Sequence, residues 1–234
     1  MQQEKRHNRI WEIDFFRGIA IILMSLFHLL YDLSEFYNFN IDYTTGIVDI
    51  IGLSSAIMFI TLTGISSSLS KNNFKRAIKI LFFAYIITAL TYIYDPNTYI
   101  NFGILHLIGV SILLYPFFKK LSPFLLLLLG LSIILMGNVF SNVTLAHNFL
   151  IPLGLTTSNY AALDYYPLFP YFGVFLWGIA MGRIFYPEKQ SLFKFSPPAK
   201  NPISFLGRHS LFIYLTHQPV FLTLLFLLHR GNLL

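Results

Sequence analysis

The chain has 234 residues, of which 56% are hydrophobic and only 11% are charged. Soluble domains carry about a quarter charged residues, so this composition excludes an ordinary soluble protein and indicates a membrane protein. Cysteine is absent, which excludes disulfides, thiolate metal sites and cysteine nucleophiles. The net charge of +6 does not indicate a nucleic acid partner, because the basic residues fall on alternate connections of the chain.

Apolar stretches close to the thickness of a bilayer, roughly 20 residues each, recur along the whole chain. We predict an all-α bundle of about seven membrane-spanning helices, six to eight, that forms one domain over residues 1–234. The predicted spans are 15–33, 47–69, 77–94, 103–118, 123–140, 168–186 and 206–228.

Charge alternates along the connections between these spans. Lysine and arginine occupy the N-terminal tail and the second, fourth and sixth connections, whereas the other connections carry acidic residues and no basic ones. Arg230 is the one basic residue at the opposite end. The positive-inside rule therefore predicts a multi-pass protein of the cell membrane, with its N-terminus in the cytoplasm and its C-terminus outside.

The longest connection, 141–167, is partly apolar and aromatic. Loops of this length are usually functional or disordered, and this composition is not typical of disorder. We expect the segment to fold back on the outer mouth of the bundle.

The stretch RGIAIILMSLFHLLYD of the first span contains three polar residues, Arg17, His28 and Asp32. Placing such side chains inside a bilayer costs free energy. Arg17 and His28 share one helix face, roughly 16 Å apart, and Asp32 follows His28 by one turn, where it can contact the imidazole. A carboxylate there fixes the imidazole tautomer and raises its basicity, as a general base requires. We expect Asp14 to neutralise or orient Arg17, although arginines at the end of a span are also typical snorkelling anchors.

Two further histidines, His106 and His217, fall within predicted spans. Each of them alone is more often a packing residue than a ligand, and together with His28 they lack the spacing of metal ligands, so we expect no metal. Gly178 and Gly182 form a GxxxG motif. This motif predicts close helix packing, either inside the bundle or between protomers of a homo-oligomer.

Four segments carry further recognisable motifs. They are EIDFFRGIAIILMSLFHLLYDL in the first span, NFGILHLIGVSILL at 101–114, DYYPLFPYFGVFLWGIAMG at 164–182 and GRHSLFIYLTHQPV at 207–220. In this order they resemble the heparan-alpha-glucosaminide N-acetyltransferase catalytic-domain family, in its bacterial and archaeal branch. The resemblance touches most of the chain. The spacing from Arg17 to His28 is also similar to that of the acyltransferase-3 membrane family.

The resemblance implies an integral-membrane acyltransferase. Such an enzyme moves an acyl group, typically acetyl, from cytoplasmic acetyl-CoA to an amine or hydroxyl of a sugar-type acceptor at the far side of the membrane. Arg17, Arg183 and Arg208 would hold the phosphates of the coenzyme. His28 would act as a base or as a nucleophile, with Asp32 behind it.

Acceptor binding is expected from further polar residues of the spans and of the longest connection. The candidates are His106, Asp164 and His217. Donors to a developing oxyanion would be His106, Tyr165 or Tyr166.

A small proton-coupled transporter is the alternative function. Buried histidine and aspartate residues serve proton relays as well as catalysis. Against a transporter, the sequence has no inverted repeat and no paired broken helices. A non-catalytic partner subunit is a third alternative, for which the sequence offers no positive sign.

Overall fold

The structure is a computed structural model that describes residues 10–193 and 201–231. Within these ranges the chain is helical, without a β-strand, and Thr144 and Thr156 form an isolated bridge. The helices are α1 (Trp11–Tyr37), α2 (Gly46–Leu69), α3 (Asn73–Tyr94), α4 (Ile104–Phe118), α5 (Pro123–Phe140), α6 (Leu168–Phe185), α7 (Pro202–Arg208) and α8 (Ser210–Arg230). A 3-10 helix, Asn148–Leu153, lies between α5 and α6.

Each predicted span coincides with helical structure, so the prediction of an all-α polytopic membrane protein is confirmed. Six of the described helices are long and apolar enough to cross a membrane: α1, α2, α3, α5, α6 and α8. The apolar helix α4 is shorter, with 15 residues. The last predicted span is divided, because α7 ends at Arg208 and α8 begins at Ser210.

The orientation of the termini stays a prediction. It rests partly on basic residues that lie outside the described ranges, namely Lys5, Arg6, Arg9, Lys194 and Lys200. The basic residues of the α2–α3 and α4–α5 connections are described and lie at helix ends.

The chain forms two compact units. The first unit contains residues 1–59 and 190–234, and the second contains residues 60–189. The first unit therefore includes α1, the start of α2, α7 and α8. The second includes the end of α2, the helices α3 to α6 and the 3-10 helix.

In the first unit, α1 packs against α7 at two glycines. A Cβ atom on Gly18 would collide with the backbone carbonyl of Ile203. A Cβ atom on Gly207 would collide with the carbonyl of Asp14. Only glycine permits so close an approach of two backbones, and this contact places α7 against the turn of α1 that carries Arg17.

In the second unit, α6 packs closely against two helices at glycines. Gly178 of α6 faces Gly64 of α2, and Gly173 of α6 faces Gly130 of α5. A Cβ atom on Gly182 would also meet side chain and backbone of α2. The GxxxG motif thus packs within the chain, which is the first of its two predicted roles, and this face is not available to a homo-oligomer.

Large apolar side chains cover the outer surface of the helices. Phe82 and Leu90 of α3 are 61% and 62% exposed, and Leu135 of α5 is 56% exposed. Soluble proteins rarely expose contiguous apolar patches of this kind. Lipid solvates such surfaces, so the bilayer is the partner that this exterior fits.

We predict that Gly18→Ala destabilises the protein by about 1–3 kcal/mol, as overpacking against a backbone atom does. This loss outweighs the ~1 kcal/mol of helix propensity that alanine gains over glycine. Thermal unfolding of the detergent-solubilised protein measures the effect. Ile22→Ala is the control on the same helix, since Ile22 is 44% exposed. Wild-type stability of Gly18→Ala would contradict the α1–α7 packing.

Candidate functional site

The predicted site residues divide between the two units. The first unit holds Arg17, His28, Asp32, Arg208 and His217. The second unit holds His106, Asp164 and Arg183.

Four polar side chains join α1 to α8 in the first unit, and we call them the α1–α8 cluster: His28, Asp32, His217 and Gln218. The ring centroids of His28 and His217 lie 4.7 Å apart. Gln218 Nε2 donates a hydrogen bond of 2.5 Å to Asp32 Oδ1. Asp32 is completely buried and His217 is 8% exposed. Two residues one turn apart on α1 thus meet two neighbours on α8.

Buried polar atoms of the α1–α8 cluster are left without a hydrogen-bond partner in the described part of the chain. They are Asp32 Oδ2, His217 Nε2 and Gln218 Oε1. A buried polar group without a partner costs about 1–3 kcal/mol, so three of them together are typical of a ligand site rather than of a structural tie. No group of three possible metal ligands occurs among residues 10–193 and 201–231.

The two imidazoles of the cluster differ in their hydrogen bonds. His217 Nδ1 lies 2.6 Å from the backbone carbonyl of Tyr214. Because a carbonyl oxygen only accepts, Nδ1 carries the proton and Nε2 of the neutral ring has a free lone pair. The ring of His28 contacts Phe27 edge-on at 5.5 Å. No hydrogen bond of the described residues sets its tautomer.

The expected contact between Asp32 and the His28 imidazole is not a hydrogen bond in the structure. Asp32 accepts from Gln218 instead, because the longer amide side chain reaches the carboxylate from α8. Gln218 is the cluster residue that the sequence prediction missed. A polar side chain beside His217 within an apolar span was the available signal.

The arginines of the first unit lie on adjacent backbone. Arg17 forms an ion pair with Asp14 at 3.5 Å, which confirms that Asp14 orients this guanidinium. Arg208 follows Gly207, whose backbone packs directly on that of Asp14. The guanidinium of Arg208 lies 5.9 Å from the ring centroid of Phe205. Two cationic side chains therefore start from the same contact of α1 with α7.

Arg183 of the second unit closes the end of α4. Its guanidinium donates to the carbonyl of Lys119 at 2.7 Å and also to that of Leu121. These carbonyls lack helical partners because α4 ends at Phe118. The guanidinium has this structural role, and its contact with a coenzyme stays a prediction.

His106 and Asp164 hold the N-terminus of α4 in the second unit. The N–H of Gly103 donates to His106 Nδ1 at 3.2 Å, and His106 Nε2 lies 3.2 Å from the hydroxyl of Thr88. Asp164 Oδ2 accepts from the N–H of Ile104 at 3.0 Å. Both ring nitrogens of His106 are thus used structurally, and acceptor binding by either residue stays a prediction.

The connection 141–167 folds back onto the α3–α4 connection, and the prediction that this end of the bundle is its outer mouth stays untested. The N–H of Leu163 donates to the carbonyl of Thr98 at 2.8 Å. The hydroxyl of Tyr165 donates to the carbonyl of Ile151 at 2.8 Å. Burial raises the pKa of Tyr165, so its hydroxyl stays protonated and committed to this loop.

Glu12, at the start of α1, is a buried carboxylate that the sequence prediction also missed. It is 1% exposed and accepts from the hydroxyl of Ser191 at 2.9 Å and from the N–H of Leu192 at 2.7 Å. An acidic residue in the first turn of a helix was the available signal. Glu12 ties the chain after α6 to the end of α1 that carries Arg17.

We predict that Gln218→Leu lowers the free energy of unfolding by about 1–3 kcal/mol, because it leaves the buried Asp32 carboxylate without its donor. The double variant Asp32→Leu/Gln218→Leu removes both partners, so its loss is smaller than the sum of the two single losses. Chemical or thermal unfolding in detergent measures the cycle. Val220→Ala, at a 57% exposed position of α8, is the control. Additive losses would contradict the hydrogen bond.

Comparison with known protein families gives one result for this chain. The sequence model described as heparan-alpha-glucosaminide N-acetyltransferase, catalytic, matches residues 9–219. The match runs through both units and includes all four residues of the α1–α8 cluster, because it ends one residue after Gln218. It confirms the resemblance of the four segments. No curated protein and no solved structure gives a significant match.

Proposed function

The chain belongs to the heparan-alpha-glucosaminide N-acetyltransferase catalytic family, and from this premise we propose that it is an acetyl-CoA-dependent transferase of the cell membrane. The family points to a membrane N-acetyltransferase. The proposal adds that acetyl-CoA binds from the cytoplasm and that a sugar-type amine or hydroxyl accepts the group on the other side. It also treats residues 1–234 as one transferase domain with a cytoplasmic N-terminus.

The α1–α8 cluster is the observation that carries the proposed site. Two of its unpartnered atoms, Asp32 Oδ2 and Gln218 Oε1, accept hydrogen bonds. A ligand that satisfies them must supply N–H or O–H groups, as an amino sugar or another polyol does. We therefore assign the acceptor, rather than the acyl carbonyl, to this cluster.

His28 is the proposed general base. It takes the proton of the acceptor's N–H or O–H group while that nitrogen or oxygen bonds to the acyl carbon. Acetyl-CoA supplies the thioester, whose carbon–sulfur bond breaks with the electron pair leaving on sulfur. His28 then returns the proton to the sulfur. Asp32, one turn away, supplies the negative charge that stabilises the protonated imidazole.

Arg17 and Arg208 are the proposed contacts for the coenzyme phosphates. Both start from the α1–α7 contact, and guanidinium groups suit phosphate because their donors match its oxygens. Because α1 is one continuous helix, Arg17 lies about 16 Å along the axis from His28. The same helix would thus hold both ends of the acyl donor. Arg183 stays a third candidate from the second unit.

Transfer is favoured over proton-coupled transport by the family match. Buried histidine and aspartate residues alone fit both functions. A transferase must bind the acyl donor, whereas a transporter need not. Donor binding therefore separates the two functions.

We expect the purified protein in lipid nanodiscs to bind radiolabelled acetyl-CoA and to acetylate glucosamine, the acceptor used as a probe. Arg17→Gln and Arg208→Gln should each weaken acetyl-CoA binding about tenfold or more, since a hydrogen bond to a charged group contributes about 1.5–3 kcal/mol. Equilibrium binding measures the change. Arg230→Gln is the control, because Arg230 lies at the C-terminal end of α8, whereas α7 precedes the N-terminal end of α8.

Two results would contradict the proposal. If neither acetyl-CoA nor CoA binds to the wild-type protein, the transferase assignment is wrong. If His28→Ala keeps full transfer activity, the assignment of the base is wrong while the family assignment stands.

A further inference from the structure

We infer that His217 is a positioning residue for His28: its Nε2 accepts a hydrogen bond from the His28 ring and so sets the tautomer of the base. The sequence predicted this role for Asp32 and placed His217 in acceptor binding. The catalytic consequence rests on the proposed function. The pairing of the two rings rests on the geometry of the first unit alone.

The tautomer of His217 is fixed by its own helix. The backbone carbonyl of Tyr214 is 2.6 Å from Nδ1 and requires the proton there. A neutral imidazole carries one ring proton, so Nε2 of His217 is an acceptor. The orientation of this lone pair does not depend on any ligand.

In the structure, none of the described residues donates a hydrogen bond to His217 Nε2. The atom is buried and has no hydrogen bond. Three aromatic rings contact the His217 ring, at 4.7 Å (His28), 5.5 Å (Tyr214) and 6.0 Å (Phe221) between centroids. Among these rings only His28 has a ring N–H. At 4.7 Å and an interplanar angle of 52°, a small rotation of His28 brings that N–H within reach of Nε2.

Asp32 does not orient His28 through a hydrogen bond in this arrangement. Its Oδ1 accepts from Gln218 at 2.5 Å, and none of the described hydrogen bonds joins Asp32 to His28. Among the described titratable groups, His217 on α8 contacts the His28 ring, and Asp32 lies one turn away on the helix of His28. Gln218 thus binds the Asp32 carboxylate, and its neighbour His217 is the residue of α8 that we pair with the His28 imidazole.

The pairing prepares His28 for proton transfer. With one N–H directed at His217, the other nitrogen of His28 has the lone pair that removes the acceptor's proton. The protonated His28 keeps its N–H toward His217 Nε2, so the positive charge gains a hydrogen bond. His217 stays neutral, because two adjacent cationic imidazoles would repel each other.

Nitrogen NMR of the protein labelled with 15N-histidine tests the pairing directly. The chain has seven histidines, and single His→Gln variants assign the signals of His28 and His217. We expect His28 to adopt one tautomer in the wild-type protein. His217→Phe, which removes the acceptor, should convert His28 to a mixture of both tautomers. His217→Gln keeps an acceptor oxygen at similar reach and should preserve the single tautomer.

Turnover in the glucosamine assay should fall in the variant that loses the single His28 tautomer and should persist in the variant that keeps it. We expect His217→Phe to lose at least about tenfold in kcat, part of the about 10²–10⁴-fold that a general base contributes. His217→Gln should retain most of the activity, and the Kd for acetyl-CoA should stay within about twofold in both variants. His229→Gln is the control, an exposed histidine on the same helix that should leave both tautomer and turnover unchanged.

The outcomes separate the two proposals. A mixture of His28 tautomers in the wild-type protein, or an unchanged single tautomer in His217→Phe, would contradict the pairing whatever the activity. If His217→Phe does not fold, two results still test the pairing. They are the tautomer of His28 in the wild-type protein and the tautomer of His28 in His217→Gln. Failure of the wild-type protein to bind acetyl-CoA would contradict the proposed function. The tautomer of His28 would still test the pairing.

Discussion

The hydrogen bond from Gln218 to Asp32 is the constraint on which the arrangement of the first unit depends. Asp32 is completely buried on an apolar helix, where no water solvates a carboxylate that lacks a partner. Helix α8 must therefore lie where the amide reaches Asp32. That placement brings His217, the residue before Gln218, beside His28. At the other end of α1, the glycine contact with α7 positions Arg17 and Arg208. The continuous helix α1 links the two groups.

The helices could be predicted because a membrane span must satisfy its backbone internally and present apolar side chains to lipid. The differences lie at helix ends. α3 begins at Asn73, before the predicted residue 77, because its first turns carry Lys75 and Arg76, which lower hydropathy without ending a helix. The break at His209 between α7 and α8 was missed, because the polar residues 208–210 were assigned to the beginning of one span rather than to an interruption between two helices. Hydropathy measures transfer into lipid and does not report where a helix ends.

The site could be predicted only where it is local in the sequence. His28 and Asp32 stood out as polar residues one turn apart in an apolar span. The partner of Asp32 is 186 residues away, and no periodicity within one helix reveals a contact between two helices. The same limit applies to Arg183 and to the contact of His106 with Thr88 on α3. Their side chains satisfy the two ends of α4, and for Arg183 those contacts are 62 and 64 residues away. One sequence therefore identified polar residues at membrane depth but not which of them have structural partners.

Transfer across a sealed bilayer is the most direct test of the proposed reaction. Proteoliposomes with a known orientation would receive radiolabelled acetyl-CoA only on the side of the N-terminus and glucosamine only on the other side. We expect labelled N-acetylglucosamine on the side that holds no acetyl-CoA, and no labelled product with His28→Ala. Product formed only when donor and acceptor share one side, or no product while acetyl-CoA remains bound, would contradict the proposed reaction.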